Sequence, residues 1–174
     1  MSLHVNSPGY KLRLEGLGIP THDELLASET SRSWQYVPHN HDALEEIANR
    51  LGVAAREKRT LTYGALVKNV TFCIASVNEG RPYQPNMDVD GGNVIRQHDL
   101  EVADEFLTYL SLHSYKGADL IASALVTGPA IGKPNTEFLR LARKLRRSSP
   151  RLTADAELWD RELQLNFGYF AKLK

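Results

Sequence analysis

The chain has 174 residues, with 21 basic and 21 acidic side chains, 42% hydrophobic content and one cysteine, Cys73. That length supports one sizeable core, and the balance of charge excludes a global field that draws the protein to nucleic acid or membrane. A lone cysteine excludes an internal disulfide framework and a multi-cysteine zinc site. With no apolar run near the ~18 residues of a membrane span and no basic-then-apolar leader over residues 1–9, the expected location is the cytoplasm.

Residues 1–40 are irregular in pattern and read as an arm packed on a single 41–174 core, the whole chain 1–174 forming one domain. Within the arm, Lys11–Glu15 alternates as a short half-buried strand does. Thr21 caps a short helix through Leu25–Ala27, and Trp34–Val37 reads as a second short strand. The first long helix is expected over Asp42–Glu57, with Asp42 and Glu45 as a capping box and Leu44, Ile47, Ala48 and Leu51 on its apolar face. Gly52 inside it costs about 1 kcal/mol against alanine.

Thr62 is an N-cap for a helix over Tyr63–Val70, with Tyr63, Leu66 and Val67 facing inward. Val70–Val77 is β-rich. Asn78–Asn93, with Gly80, Pro82, Pro85, Gly91 and Gly92, is a long loop or open hairpin. Asp99 caps a helix over Leu100–Tyr115, stopped by Gly117. Asp119–Thr127 reads as a buried strand, Gly128–Pro134 as a turn, and Asn135–Arg147 as a helix. Thr153 caps a last helix over Ala154–Lys174, acidic at its start and basic at its end. The expected class is α+β, with helices around a small sheet that contains Leu120–Val126.

Three groups of residues carry candidate chemistry. The first is the helix after Pro134. Phe138, Leu141, Ala142 and Leu145 share one face, and Arg140, Arg143, Lys144 and Arg147 repeat that spacing on the other. With Lys133, Arg146 and Arg151, residues 133–151 hold seven basic side chains against one acidic, Glu137, a local charge of +6. Arginine forks match phosphate oxygens, which predicts nucleic-acid backbone contact by Lys133, Arg140, Arg143, Lys144 and Arg147. The competing reading is a solvated face compensated by Asp155, Glu157, Asp160 and Glu162.

The second group, Asn86 to Asn93, sets Asp88 and Asp90 before Gly91 as a calcium loop does. It fails at the twelfth position, where Gln97 offers no bidentate carboxylate, and a tight turn explains the same residues. The third is the histidines. His39-Asn40-His41 lacks the spacing of a metal nuclease. His98 and His113 join Asp88 and Asp90 only if the fold brings them together, and on that condition Asp88, Asp90 and His98 would make a metal-assisted hydrolase site. Cys73, in an apolar run, reads as a small buried hydrophobe. Ser123 has no G-x-S-x-G elbow, and there is neither a P-loop nor a G-x-G-x-x-G. No catalytic residue and no cofactor is therefore expected.

The run Arg59-Thr-Leu-Thr-Tyr-Gly-Ala-Leu66 is similar to the TYG-x-L helix start in the winged-helix domain of alkyltransferase-like DNA repair proteins. The reactive Pro-Cys-His-Arg of that family is absent and Cys73 does not replace it, so alkyl transfer is not implied. Thr62-Tyr-Gly together with Ser123-Ala-Leu-Val, Gly132-Lys-Pro and Phe138 also resembles small bacterial proteins without an assigned activity. The resemblance implies a winged-helix-like core. The leading expectation is a non-enzymatic, nucleic-acid-associated accessory or regulatory protein. The rivals are the hydrolase and an inhibitor or immunity-type module that meets an acidic protein. The sequence does not set an oligomeric state.

Overall fold

The computed structural model describes residues 22–85, 97–128, 132–147 and 151–173. It divides into two compact units, 1–32 and 33–174. The Lys11–Glu15 strand and the Thr21 cap lie outside the described residues. In the smaller unit, helix α1 (His22–Thr30) carries Asp23 and Glu24 in its first turn, where the helix dipole favours them. The Thr30 hydroxyl closes its other end by donating to the carbonyls of Leu26 and Ala27, at 2.9 and 3.1 Å.

The larger unit is mostly helical: α2 (His41–Arg56), β1 (Leu61–Thr62), α3 (Tyr63–Val67), α4 (Gln97–Ala118), β2 (Val126–Thr127), α5 (Thr136–Leu145) and α6 (Asp155–Phe170). Strands β1 and β2 pair in parallel, Leu61 opposite Val126 and Thr62 opposite Thr127. The α+β class holds, with a sheet of two residues per strand. Helix α4 runs through the interior. Val102, Ala103, Phe106 and Leu107 are fully buried on it, against Ile47 of α2, Leu66 of α3 and Phe72.

Several expected boundaries move, each for a local reason. Trp34–Val37 is not a strand. The carboxylate of Glu105 on α4 accepts the N–H groups of Gln35, Tyr36 and Val37 at 3.0, 2.6 and 3.0 Å, and a short 3-10 turn, Val37–His39, follows. Asn40, not Asp42, holds the cap position of α2. Its side chain is spent elsewhere, accepting from Cys73 N at 2.7 Å and donating to Tyr36 O at 2.8 Å. Gly52 sits where α6 packs on α2: a Cβ there would meet Phe170 Cε1 at 3.4 Å, an ordinary contact.

Thr62 does cap α3, accepting from Ala65 N at 3.1 Å. The helix ends at Val67 because Lys68 leaves the helical region, ψ 123°, and Asn69 then turns left-handed, φ 60°. Val70–Val77 makes only an antiparallel bridge, Phe72 with Tyr83, and Cys73 is exposed, not buried, between the buried Phe72 and Ile74. That in-out alternation is what an extended segment on one side of a core gives. Asp99 lies inside α4, and Gly117 is helical; the stop is Asp119, φ 58°. Its N–H bonds Tyr115 O at 2.9 Å, the single bond of an αL-type end, and the Leu120 N–H reaches Ser114 O at 3.4 Å.

The largest correction is the apolar run after Asp119. Ile121, Ala124, Leu125 and Val126 are completely buried, but only Val126–Thr127 is strand, and Ala122–Leu125 is a 3-10 turn. Buried backbone groups need partners, and here side chains supply them. Ser111 accepts from Ser123 N at 2.8 Å. Asn135 donates to Ser123 O and Val126 O at 3.0 and 2.7 Å. Trp159 donates to Ala124 O at 2.8 Å and Asn166 to Ile121 O at 3.2 Å.

Candidate nucleic-acid interface

The basic helix α5 begins at Asn135, whose Oδ1 accepts from Phe138 N at 2.7 Å. The same amide bonds two carbonyls of the buried run, so one side chain fixes both the start of the helix and its seat. Phe138, Leu141, Ala142 and Leu145 are buried as the spacing predicts. The opposite side is not one uniform stripe.

Arg143 and Arg146 turn to α6. Arg143 bonds the Asp155 carboxylate and the Thr153 carbonyl, the latter at 3.1 Å, and its side chain is 16% exposed. Arg146 holds Glu162 through Nε and Nη2 at 2.8 and 2.9 Å. It also holds Asp119 Oδ1 at 2.6 Å and Asp119 O at 2.8 Å, and it lies 4.9 Å over the Tyr115 ring. Burial works against its charge, but the hydrogen bonds and charge of Glu162, then Asp119, raise its pKa above the usual guanidinium value. Glu162 is itself completely buried, and a fork geometry of this kind is what makes such a pair tolerable in the interior.

Arg140, Lys144 and Arg147 form the second row, at i, i+4 and i+7. Arg140 makes a bidentate pair with Glu137, 2.9 and 2.8 Å, and stays 43% exposed. Lys133 is exposed on the turn before the helix, and Lys144 and Arg147 are half-buried. Of the five predicted contact residues, the fold leaves Lys133 and Arg140 exposed, half-buries Lys144 and Arg147, with Nε and Nη1 of Arg147 below the surface, and ties Arg143 to α6.

Beside Glu137 lies a polar cluster that sequence reading missed. Thr108 donates to Glu137 at 2.7 Å, and the buried Tyr63 hydroxyl donates to Asp104. Burial, first, then the charges of Glu137 and Glu101 push the Asp104 carboxyl up to about 6, against the lowering effect of the Tyr63 bond. Burial and Asp104 together raise the Tyr63 phenol. The signal was Glu101, Asp104 and Thr108 on one side of α4, a polar strip on an otherwise buried helix.

Asp88 and Asp90 lie outside the described residues. His98 and His113 do not converge: they stand fifteen residues apart on α4, roughly 22 Å at 1.5 Å per residue. His98 packs edge-on against Tyr36, centroids 5.7 Å apart, and His113 against Tyr109 at 4.3 Å. Among the described residues no group of three His, Cys, Asp or Glu side chains is placed to hold a metal ion, and no helix is long and apolar enough to cross a membrane. No protein-family model, curated protein or solved structure matches the chain.

Proposed function

We propose that this protein is a non-catalytic, nucleic-acid-associated module that contacts phosphates through Lys133 and the Arg140–Lys144–Arg147 row of α5. The observation that carries the reading is the division of the basic residues. Arg143 and Arg146 lock α5 onto α6, and the helix so held carries Arg140 at the surface beside Glu137, with Lys144 and Arg147 half-buried along the same row and Lys133 exposed on the turn before it. A rigid row costs little ordering on binding. A winged-helix-like use of the core has its support in the capped start of α3 at Thr62 and in the antiparallel Phe72–Tyr83 bridge that follows, which closes a loop containing Gly80.

The protein has no net charge, so the contact is a local one of three or four phosphates, with a salt slope of about −3 for log affinity against log salt. The double variant Lys133→Glu, Lys144→Glu is expected to bind a short duplex at least roughly tenfold more weakly at low salt and to flatten that slope. Arg143→Ala, which loses its bonds to α6, is expected to lose stability and to keep its affinity. Duplex binding by the double variant equal to that of the unaltered protein, in a fluorescence-anisotropy titration, removes the reading.

A further inference from the structure

Glu101, Asp104 and Thr108 stand at i, i+3 and i+7 on α4, one side of that helix, and this side meets α3 and α5. From α3 the buried Tyr63 hydroxyl donates to the Asp104 carboxylate. From α5 comes Glu137. It accepts from the buried Thr108 hydroxyl at 2.7 Å and holds Arg140 with both oxygens, at 2.9 and 2.8 Å. The ionisable groups that face Asp104 are thus Tyr63 from α3, Glu101 on its own helix and Glu137 from α5, with Arg140 beyond Glu137.

These three carboxyls are not alike. Glu137 is compensated by the Arg140 fork. Among the described residues no cation pairs with Asp104, which accepts instead from a neutral phenol. Where like charges crowd together, the carboxyl without a counter-charge is the one that takes a proton. Arg140 is where that proton is felt outside. It is the exposed member of its row, 43% open to solvent, and Glu137 stands between it and Asp104. A phosphate that reaches Arg140 competes with Glu137 for the same guanidinium, and it meets one carboxylate fewer when Asp104 is protonated.

We infer that Asp104 is a proton switch on the α5 site: phosphate groups bind the Arg140 end of the basic row more tightly when Asp104 is protonated than when it is ionised. The inference rests on the phosphate-binding reading of α5 and adds its regulation by pH. The Asp104 carboxyl is lifted to about 6, by burial first and then by Glu137 and Glu101, so the change falls between weakly acidic and neutral solution. Linkage requires the reverse effect as well, a bound phosphate tightening the hold of Asp104 on its proton.

The test uses the full chain and its Asp104→Asn variant, which keeps an acceptor for Tyr63 and fixes the neutral form. Affinity for a short DNA duplex is measured by fluorescence anisotropy from pH 5.0 to 7.5 at constant salt. The two proteins are expected to bind nearly alike at pH 5.0 and the variant about threefold more tightly at pH 7.5, the effect of one charge close behind a surface site. The difference between the proteins is the readout, since other groups titrate in both. The Arg140 Nε–H signal, followed by NMR without duplex, is expected to move with a midpoint near pH 6 in the unaltered protein and to lose that step in Asp104→Asn. The same pH dependence of affinity in both proteins, or an Arg140 signal that titrates alike in both, overturns the switch. No duplex binding by either protein at any pH overturns the phosphate-binding reading and the ligand end of the switch with it, while an Arg140 step that depends on Asp104 upholds the proton link to that side chain.

Discussion

Asp104 is the side chain whose ionisation the fold alters most usefully. Its ordinary value is 3.8, and in the folded protein burial, with Glu137 and Glu101, lifts it to about 6. The folded state therefore holds a proton more tightly than the unfolded chain. Stability from this group is greatest below about pH 4, falls as pH rises towards 6, and is level above, by at most about 3 kcal/mol in total. Asp104→Asn keeps an acceptor for Tyr63 and removes the ionisation. Urea midpoints are expected to be higher than those of the unaltered protein at pH 8, equal at pH 4, and free of the intervening slope. A slope that survives the substitution would place the titrating group elsewhere. Tyr63 was readable as an inward residue from its helical position. Its partner was not, because the two are separated by 41 residues and nothing local ties them together.

Single elements were legible to the extent that local chemistry decides them. The basic helix was placed to within a residue or two by its periodicity, and its buried face is the predicted one. The run 119–127 was read correctly as buried and wrongly as a strand. Burial is written in its composition, but conformation was settled by Ser111, Asn135, Trp159 and Asn166, which reach it from three other elements. An apolar run this short is ambiguous by periodicity alone. Asn135 makes the dependence testable. Asn135→Ala removes the cap of α5 and the donors to Ser123 O and Val126 O together, so a loss of about 2–4 kcal/mol is expected, more than a cap by itself supplies. Hydrogen exchange should quicken both in the first turn of α5 and in 123–127. Quickening confined to the helix would show that the buried run does not lean on Asn135.

At the scale of the molecule, the candidate site was half visible. Seven basic residues between 133 and 151 are plain in the sequence, yet which of them the protein spends on itself depends on where Asp155 and Glu162 arrive. The acidic start of the next helix was the clue, and two of the four acids weighed there as compensation, Asp155 and Glu162, are the ones that pair with Arg143 and Arg146. The polar ties on the buried run have a consequence for biosynthesis. Trp159 and Asn166, both on α6, complete the hydrogen bonding of Ala124 and Ile121, so the middle of the molecule cannot be finished before its last helix exists. The nascent chain must carry α2, α3 and α4 with part of their shared interior open to water while α5 and α6 are still being made, an interval in which chaperones can bind it. Ribosome-arrested chains of increasing length are expected to resist protease only once residue 170 has left the ribosome, and resistance in chains that end before Asp155 would show that the interior closes without it.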